Sequence, residues 1–304
     1  MLKLLDTLEP ELKAKYVRRI NTYLKRKNLN REKLKKYYKK LAKEINADRT
    51  KYELKNLAIQ KFRGCSFLDY IINEIDNGKY VDRWMNGVKT PFLDMMRYFD
   101  NYPDEPVLIN EDFRNVEISE NSIDLIITDP PYPYKYINLF GDLASFAERV
   151  LKPGGSLFTM AGQSYLPEIY NLMNVGGLNY NWTLAYLTPG GQSPQLWNRK
   201  VNAFWKPVLW YTKGKPGFWI GDVVKSAVND NDKNFHFWGQ SESGMANLIQ
   251  KVSYVGQTIL DPFLGGGTTG IVALKLYRKF VGIEIDKNIF EIATERILKN
   301  KPEG

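Results

Sequence analysis

The feature that most restricts what this chain can fold into is the alternation of strand-like and helix-like segments that runs from Pro106 to Leu298. Ile123–Thr128 reads IDLIIT, a β-branched run with one charged residue. Runs of this kind belong to strands buried on both faces of a parallel sheet. Phe140–Leu151 has apolar residues at helical spacing and stops at Lys152-Pro153-Gly154-Gly155, with Ser156–Ala161 as the next strand. The same reading places strands at Val107–Asn110, Trp182–Leu187, Phe204–Thr212, Thr258–Asp261 and Lys279–Ile285. Helices are expected at Leu166–Met173, Met245–Val252, Thr268–Leu276 and Asn288–Leu298, and residues 213–240 are expected to be irregular. Strands separated by helices imply an α/β fold with a mostly parallel sheet.

Residues 1–100 follow a different pattern. Leu4, Leu5, Leu8, Leu12, Tyr16 and Ile20, then Leu34, Tyr37, Tyr38 and Leu41, recur near a period of 3.6, and Glu9-Pro10 marks a helix start. The expected organisation is a helical accessory region over 1–100 and an α/β domain over 101–304. Charge divides in a similar way. Residues 1–63 hold twenty Lys and Arg against seven Asp and Glu, a net +13, so the remainder carries −4 of the chain's +9. A basic head on a mildly acidic body suits an anionic partner, nucleic acid being the commonest, although a solvated lysine-rich helix face has the same composition.

Several classes of function are excluded at this level. No apolar run approaches the roughly 20 residues that span a bilayer, and the first residues, MLKLLDTLEPELK, have no signal-peptide apolar stretch. Cys65 has no partner for an internal disulfide, and with His236 as the sole histidine a zinc site of the usual kind cannot be built. A metal-free protein of the cytoplasm is expected, with no membrane partner; a homodimer is left open.

Chemistry concentrates in two segments. Asp129-Pro130-Pro131-Tyr132 follows the buried strand directly, and ligands of open parallel sheets sit beyond the carboxyl ends of the strands. The prolines restrict the backbone and remove two N–H donors, leaving a carboxylate, free carbonyls and an aromatic ring on a stiff loop. That set suits the exocyclic amine of a base. Asp129 and the Pro130 carbonyl accept its two hydrogens and so orient its lone pair, while Tyr132 stacks on a base taken out of the duplex. The competing reading is a Pro-Pro turn with Asp129 as a helix cap.

The second segment is Asp261-Pro262-Phe263-Leu264-Gly265-Gly266-Gly267-Thr268-Thr269-Gly270, a strand running through a glycine-rich turn into a helix. Glycines there allow close approach of a ligand to the helix start. No lysine follows them, so a phosphate-cradling NTPase loop is absent. Gly265, Gly267 and Gly270 satisfy G-x-G-x-x-G, with Glu284 at the end of the next strand, so a dinucleotide oxidoreductase is a rival. Asp261 argues against it, because a carboxylate is awkward beside a pyrophosphate but comfortable near an ammonium and a sulfonium. In either reading Glu284 takes ribose hydroxyls.

Together these stretches resemble the beta group of DNA amino-methyltransferases, in which a catalytic DPPY precedes a cofactor DPFxGxGTT. IDLIITDPPY lies upstream of ILDPFLGGGTTGIVALKLYRKFVGIEID here, and AERVLKPGGSLFTMAG, WNRKVNAFWKPVLWYTKG and HFWGQSESGMANLIQKV match further stretches over about residues 106–298. The resemblance implies an S-adenosylmethionine-dependent methyltransferase fold, a Rossmann-like sheet of seven strands with one antiparallel. The implied catalytic residues are Asp129, Pro130 and Tyr132. The implied cofactor residues are Asp261, Phe263, Gly265, Gly267, Thr268 and Glu284, with Asp112 at the cofactor adenine and Gln240 and Ser241 at its methionine end. The implied reaction is site-specific DNA methylation of the restriction-modification kind. DPPY favours adenine N6; cytosine N4, an RNA substrate, and a DNA-binding protein with an inactive body are the alternatives.

Two further expectations concern DNA. Trp197 and Arg199 lie in the loop TPGGQSPQLWNRK and are candidates for DNA contact. The variable stretch from Thr212 to His236 is short, which moves part of the recognition to Lys35, Lys36, Lys39, Lys40 and Lys43 in the basic head. Among the remaining aromatics, Trp205 and Trp210 are expected to fill core, and Lys206 to suit phosphate contact.

Overall fold

Helical apolar spacing through the first hundred residues, and buried strand runs alternating with helical spacing thereafter, build two different bodies in the computed structural model, which describes residues 2–25, 30–102, 105–189, 195–228 and 241–302. The chain divides into compact units at Met1–Asp100 and Asn101–Gly304.

The first unit is helical among its described residues: α1 (Leu2–Leu5), α2 (Pro10–Leu24), α3 (Arg31–Phe62), α4 (Leu68–Asp76), α5 (Val81–Met85) and α6 (Thr90–Tyr98). Pro10 sits in the first turn of α2, where its missing N–H costs nothing. Asn30 caps α3 by accepting from the Lys33 amide at 2.8 Å. The buried residues of α3 are Leu41, Ile45, Thr50, Leu54, Ala58 and Phe62, a stripe at helical spacing. Leu41 and Ile45 pack with Leu5, Leu8 and Tyr16, and the Tyr16 hydroxyl donates to Asp48 at 2.8 Å. Lys35, Lys36, Lys39, Lys40 and Lys43 are all exposed on the same helix.

The second unit is built on β1 (Val107–Asn110), β2 (Ile123–Thr128), β3 (Leu151–Met160), β4 (Asn179–Leu187), β5 (Gln195–Leu196), β6 (Val201–Asn202), β7 (Lys206–Thr212), β8 (Val223–Lys225), β9 (Thr258–Asp261) and β10 (Lys279–Glu284). Its helices of a turn or more are α7 (Leu139–Val150), α8 (Leu166–Leu172), α9 (Glu242–Val252), α10 (Thr268–Lys275) and α11 (Lys287–Lys299). Eight strands form one sheet in the order β1-β10-β9-β2-β3-β7-β4-β8, and β5 and β6 form a separate ribbon. Within the large sheet β7 alone runs against the rest. The eighth strand corrects the expected count of seven. Val223–Lys225 pairs in parallel with Ala185–Leu187, inside a stretch with too little apolar pattern to signal a strand.

From β2 the chain steps to β3 on one side, and from β9 it steps to β10 on the other. Right-handed crossovers in opposite directions place their helices, α7 and α10, on opposite faces and open a crevice between β2 and β9. Phe140, Leu143, Ala144, Phe146, Ala147 and Val150 of α7 are buried in the core with Ile126, Leu157 and Leu260 of the sheet. On the other side α10 packs against β10 so closely that a side chain at Gly270 is excluded. A Cβ there would lie 2.6 Å from Phe280 Cε1 and 2.8 Å from Ile297 Cδ1.

Gly270→Ala is therefore expected to lower stability by about 1–3 kcal/mol, the usual cost of overpacking a filled core. A lower urea midpoint at unchanged slope is the readout; an unchanged midpoint would show that the α10 contact is loose.

Candidate active site at the sheet switch point

The crevice is defined by two loops that leave neighbouring strands. Leu125 pairs with Ile259 and Ile126 with Leu260, so β2 and β9 end side by side. The Thr128 hydroxyl donates to Asp261 Oδ1 at 2.6 Å, joining the last residues of the two strands across 133 positions of sequence. The proline-rich and glycine-rich loops thus start from adjacent points of one sheet edge.

Asp261 is 3% exposed. Its Oδ1 also accepts from the Phe263 amide at 3.1 Å. Burial pushes its pKa up to about 7, against hydrogen bonds from Thr128, Thr269 and the Phe263 amide that favour the charged form, and with Asp129 adding to the rise. Each such bond contributes about 1.5–3 kcal/mol at most, and desolvation of a fully enclosed carboxylate exceeds their sum here. Asp261 accordingly braces the two loops from beneath.

The loop after Asp261 presents backbone. Gly267 takes φ +79°, the left-handed conformation, at the position preceding α10. A side chain there would also meet Ile297 at 3.1 Å. The Gly265 amide donates to Glu284 Oε2 at 2.9 Å, and the Asp286 amide donates to Oε1 at 3.0 Å. Each Glu284 oxygen accepts one amide and keeps capacity for another donor. Phe263 is partly buried, with its ring 5.0 Å from that of Phe113. This donor and acceptor set fits a ligand bearing a ribose, an aromatic ring and positive charge, and it contains no lysine for a phosphate.

The structure brings some of the sequence-chosen residues together and not others. Phe263, Gly265 and Glu284 gather at the ends of β9 and β10, and Asn110 ties β1 to this corner by donating to the Glu284 carbonyl at 2.8 Å. Asp112 follows β1, but its carboxylate is held by Arg114, whose Nη2 lies at 2.6 Å and whose hydrogen bonds, with its charge, lower the carboxyl pKa. Thr268 is buried and accepts from Arg296 Nη1 at 3.2 Å. Ser241 caps α9, its hydroxyl accepting from the Gly244 amide at 3.0 Å. Gln240 lies outside the described residues, as does His236. Lys35, Lys36 and Lys39 belong to the first unit.

At the end of β2, Pro130 is buried, and both oxygens of Asp129 have partners. The Tyr132 hydroxyl donates to Oδ1, and Lys206 Nζ donates to Oδ2 at 3.2 Å. The Lys206 ammonium also lies 5.3 Å from the Tyr132 ring centroid. Burial around the hydroxyl first, and then the Asp129 charge, raise the Tyr132 pKa well above its usual value, so the hydroxyl stays a donor while part of the residue faces solvent. Lys206, read in the sequence as suited to phosphate contact, is placed beside Asp129: it opens the antiparallel strand β7, whose start lies at the same sheet edge as the ends of β2 and β3. Pairing across 77 residues left no local signal of this.

A surface rich in aromatic rings continues from Tyr132. Tyr134 and Tyr165 pack with centroids 5.0 Å apart. The β5–β6 ribbon is tied beside them, with Arg199 Nη2 donating to the Ser164 carbonyl at 3.2 Å and Gln163 Nε2 to the Trp205 carbonyl at 2.9 Å. Trp197 at the ribbon's turn is 80% exposed. Trp210 is core, as expected, but Trp205 is 41% exposed because β7 begins only at Lys206.

Comparison with known proteins bears on this geometry. The model of the N6/N4 DNA methylase family matches residues 123–295, more than half of the chain. Type II methyltransferase M.HpaI of Haemophilus parainfluenzae is 29% identical over 220 residues, covering 59% of this chain and 69% of that one. Among solved structures, the M1.HpyAVI–SAM complex aligns with a TM-score of 0.53 at 22% identity, covering 64% of this chain and 99% of that chain. PvuII DNA methyltransferase, described as cytosine-N4-specific, aligns with a TM-score of 0.54 at 18% identity, covering 67% and 92%. These two likenesses are likenesses of fold. No helix among the described residues is long and apolar enough to cross a membrane.

The raised Asp261 carboxyl sets a testable pH dependence. The folded state holds this proton up to about pH 7, whereas the unfolded chain releases it near 3.8. Its contribution to stability is full below about pH 4 and is lost as pH rises through 7. The stability of Asp261→Asn relative to the parent is expected to rise steadily from pH 4 to 8. A difference in urea midpoint that stays flat over that range would show that Asp261 ionises freely.

Proposed function

The chain belongs to the N6/N4 DNA methylase family, and from that premise we propose that it transfers a methyl group from S-adenosylmethionine to the exocyclic amine of a DNA base, adenine N6 in preference to cytosine N4. The observation that carries this reading is the Thr128–Asp261 hydrogen bond, which brings the strand ending in DPPY against the strand ending in DPF. One loop can then hold the acceptor base while the other holds the donor.

On this reading Glu284 accepts the ribose hydroxyls, Phe263 and the glycine turn line the cofactor, and S-adenosylmethionine supplies an electrophilic methyl on a cationic sulfur. Asp129 and the Pro130 carbonyl accept the two amine hydrogens. That turns the nitrogen lone pair out of the ring plane toward the methyl and stabilises the positive charge growing on nitrogen. The Tyr132 ring, 36% exposed, stacks on the base after it leaves the duplex. Its hydroxyl fixes the Asp129 rotamer. The methyl would pass directly from sulfur to the amine as the carbon–sulfur bond breaks, leaving a neutral thioether; the surplus amine proton would be lost to solvent, and no covalent enzyme intermediate would form. DPPY supports adenine; the cytosine-N4 description of the PvuII enzyme keeps the second base in play.

DNA is the proposed partner, with Trp197 and Arg199 on the ribbon beside the catalytic loop and the α3 lysines as phosphate contacts. Phosphate contacts position a duplex, and each one adds about 0.9 to the steepness of the log–log dependence of affinity on salt. The combined change Lys35→Gln, Lys36→Gln and Lys39→Gln is expected to lower DNA affinity and make the salt dependence shallower. An unchanged slope would remove α3 from the interface.

The central test uses labelled S-adenosylmethionine with unmodified genomic DNA and RNA, followed by nucleoside mass spectrometry and mapping of the modified positions. N6-methyladenine in DNA is the expected product; N4-methylcytosine would correct the base, and no labelled nucleoside would overturn the reading. Asp129→Ala is expected to bind the cofactor with parental affinity in a calorimetric titration and to lose transfer by about a hundredfold or more. Transfer at the parental rate would take Asp129 out of the mechanism.

A further inference from the structure

We propose that Lys206 reads the target base, by donating a hydrogen bond to the ring nitrogen next to the exocyclic amine while Asp129 accepts from the amine itself. This assignment rests on the methyltransferase reading of the site and deepens it.

The argument starts from the two charged atoms. Lys206 Nζ and Asp129 Oδ2 stand 3.2 Å apart, with the side chains 30% and 21% exposed. They present a donor and an acceptor side by side next to the Tyr132 ring, with the ammonium 5.3 Å from its centroid. The proposal sets a base stacked on Tyr132 with its Watson–Crick edge at this pair.

Adenine shows an amine donor next to the acceptor N1, and cytosine shows an amine donor next to the acceptor N3. Guanine and thymine show the reverse, a carbonyl next to an N–H. An acceptor–donor pair on the protein complements the first two and opposes the last two. Lys206 is thereby a device that admits amino bases, a discrimination that a carboxylate alone makes only in part.

Electrostatics also require the two groups to work together. The amine gains positive charge as it attacks, and an ammonium without a counter-charge nearby would oppose that. Asp129 stays close to both, accepting from the amine and keeping its charge near the ammonium. In the free protein Lys206 donates to Oδ2. The entering amine replaces it there, and the ammonium, on a flexible stem of four carbons, shifts to the ring nitrogen. Met160 Sδ, 3.8 Å from the ammonium, is a weak acceptor that does not hold it in place.

Lys206 remains an ammonium throughout; the bond to the ring nitrogen is a hydrogen bond, and no proton is transferred. A site built to hydrogen-bond one polar atom loses activity on a substrate that lacks it, because its own group is left unpaired.

The test is a cycle of protein and substrate changes. Single-turnover transfer is measured for the parent, Lys206→Met and Lys206→Arg on duplexes carrying the mapped site with the natural base. The measurement is repeated with 1-deazaadenine at the target, or 3-deazacytosine if the mapped product is methylcytosine. Cofactor affinity and the urea midpoint are recorded for each variant, so that a misfolded protein is identified.

The parent is expected to lose about ten- to a hundredfold on the deaza base. Folded Lys206→Met is expected to lose a similar factor on the natural base and to show no further loss on the deaza base. Lys206→Arg, which keeps a cationic donor, is expected to restore discrimination between the two substrates. Equal discrimination by the parent and by Lys206→Met would overturn this role with the methyltransferase reading intact. Failure of the parent to methylate any DNA would overturn both.

Discussion

The pairing of β2 with β9, closed at its end by the bond from Thr128 to Asp261, is the contact on which the rest of the site depends. It joins the point where strand order reverses, and at that point a crevice exists because the flanking crossovers leave in opposite directions. Every group assigned to chemistry lies within one or two strands of it. Asp129 and Tyr132 extend from β2, the glycine turn and Phe263 from β9, Glu284 from β10, and Lys206 from the start of β7 two strands away. The cost of this bracing is visible in Asp261, a carboxylate so enclosed that its ionisation is displaced to about pH 7. A buried acid at the base of the crevice is tolerated because its hydrogen bonds hold both loops in position.

The site separates two kinds of interaction. On the β9–β10 side, backbone amides of Gly265 and Asp286 orient the Glu284 carboxylate, and tight packing behind Gly267 and Gly270 leaves the turn no freedom to adjust. A preformed cradle of this kind binds without rearranging. On the β2–β7 side, charges and rings meet over an exposed surface, and the ion pair of Asp129 with Lys206 has to be exchanged for contacts with a substrate. Rigidity for one ligand and replaceable pairing for the other is a division suited to a reaction that joins two substrates across one crevice.

Much of the fold was legible in local pattern. β2 and β9 occupy the residues their apolar runs predict, Ile123–Thr128 and Thr258–Asp261, because a strand covered on both faces leaves no room for polar alternation. Helix α7 was readable from its spacing, but Lys152-Pro153-Gly154-Gly155, expected as a break before a strand at Ser156, lies inside β3, which starts at Leu151. Less legible were β8, three residues in a polar stretch, and the start of β7, where Phe204 and Trp205 suggested a strand but remain exposed on the approach to it. Aromatic residues have the same composition whether they fill core or face solvent, and spacing over two residues does not separate the cases. Ser241 and Thr268 show the same limit. Their positions were readable, but their partners, the Gly244 amide and Arg296, come from packing that no local pattern encodes.

Alone, the sequence determined which segments are buried strands, which loops carry carboxylate, proline and glycine, and that the first hundred residues are helical and basic. These properties are written in periodicity and residue type over short spans. Tertiary structure alone decided that residues 128 and 261 touch, that Asp261 is enclosed, and that Lys206 faces Asp129. Neighbourhood in a sheet depends on strand order and direction. Those are set by crossover handedness and by competition among many distant contacts, so the decisive pair could be seen only once β7 was found running against its neighbours.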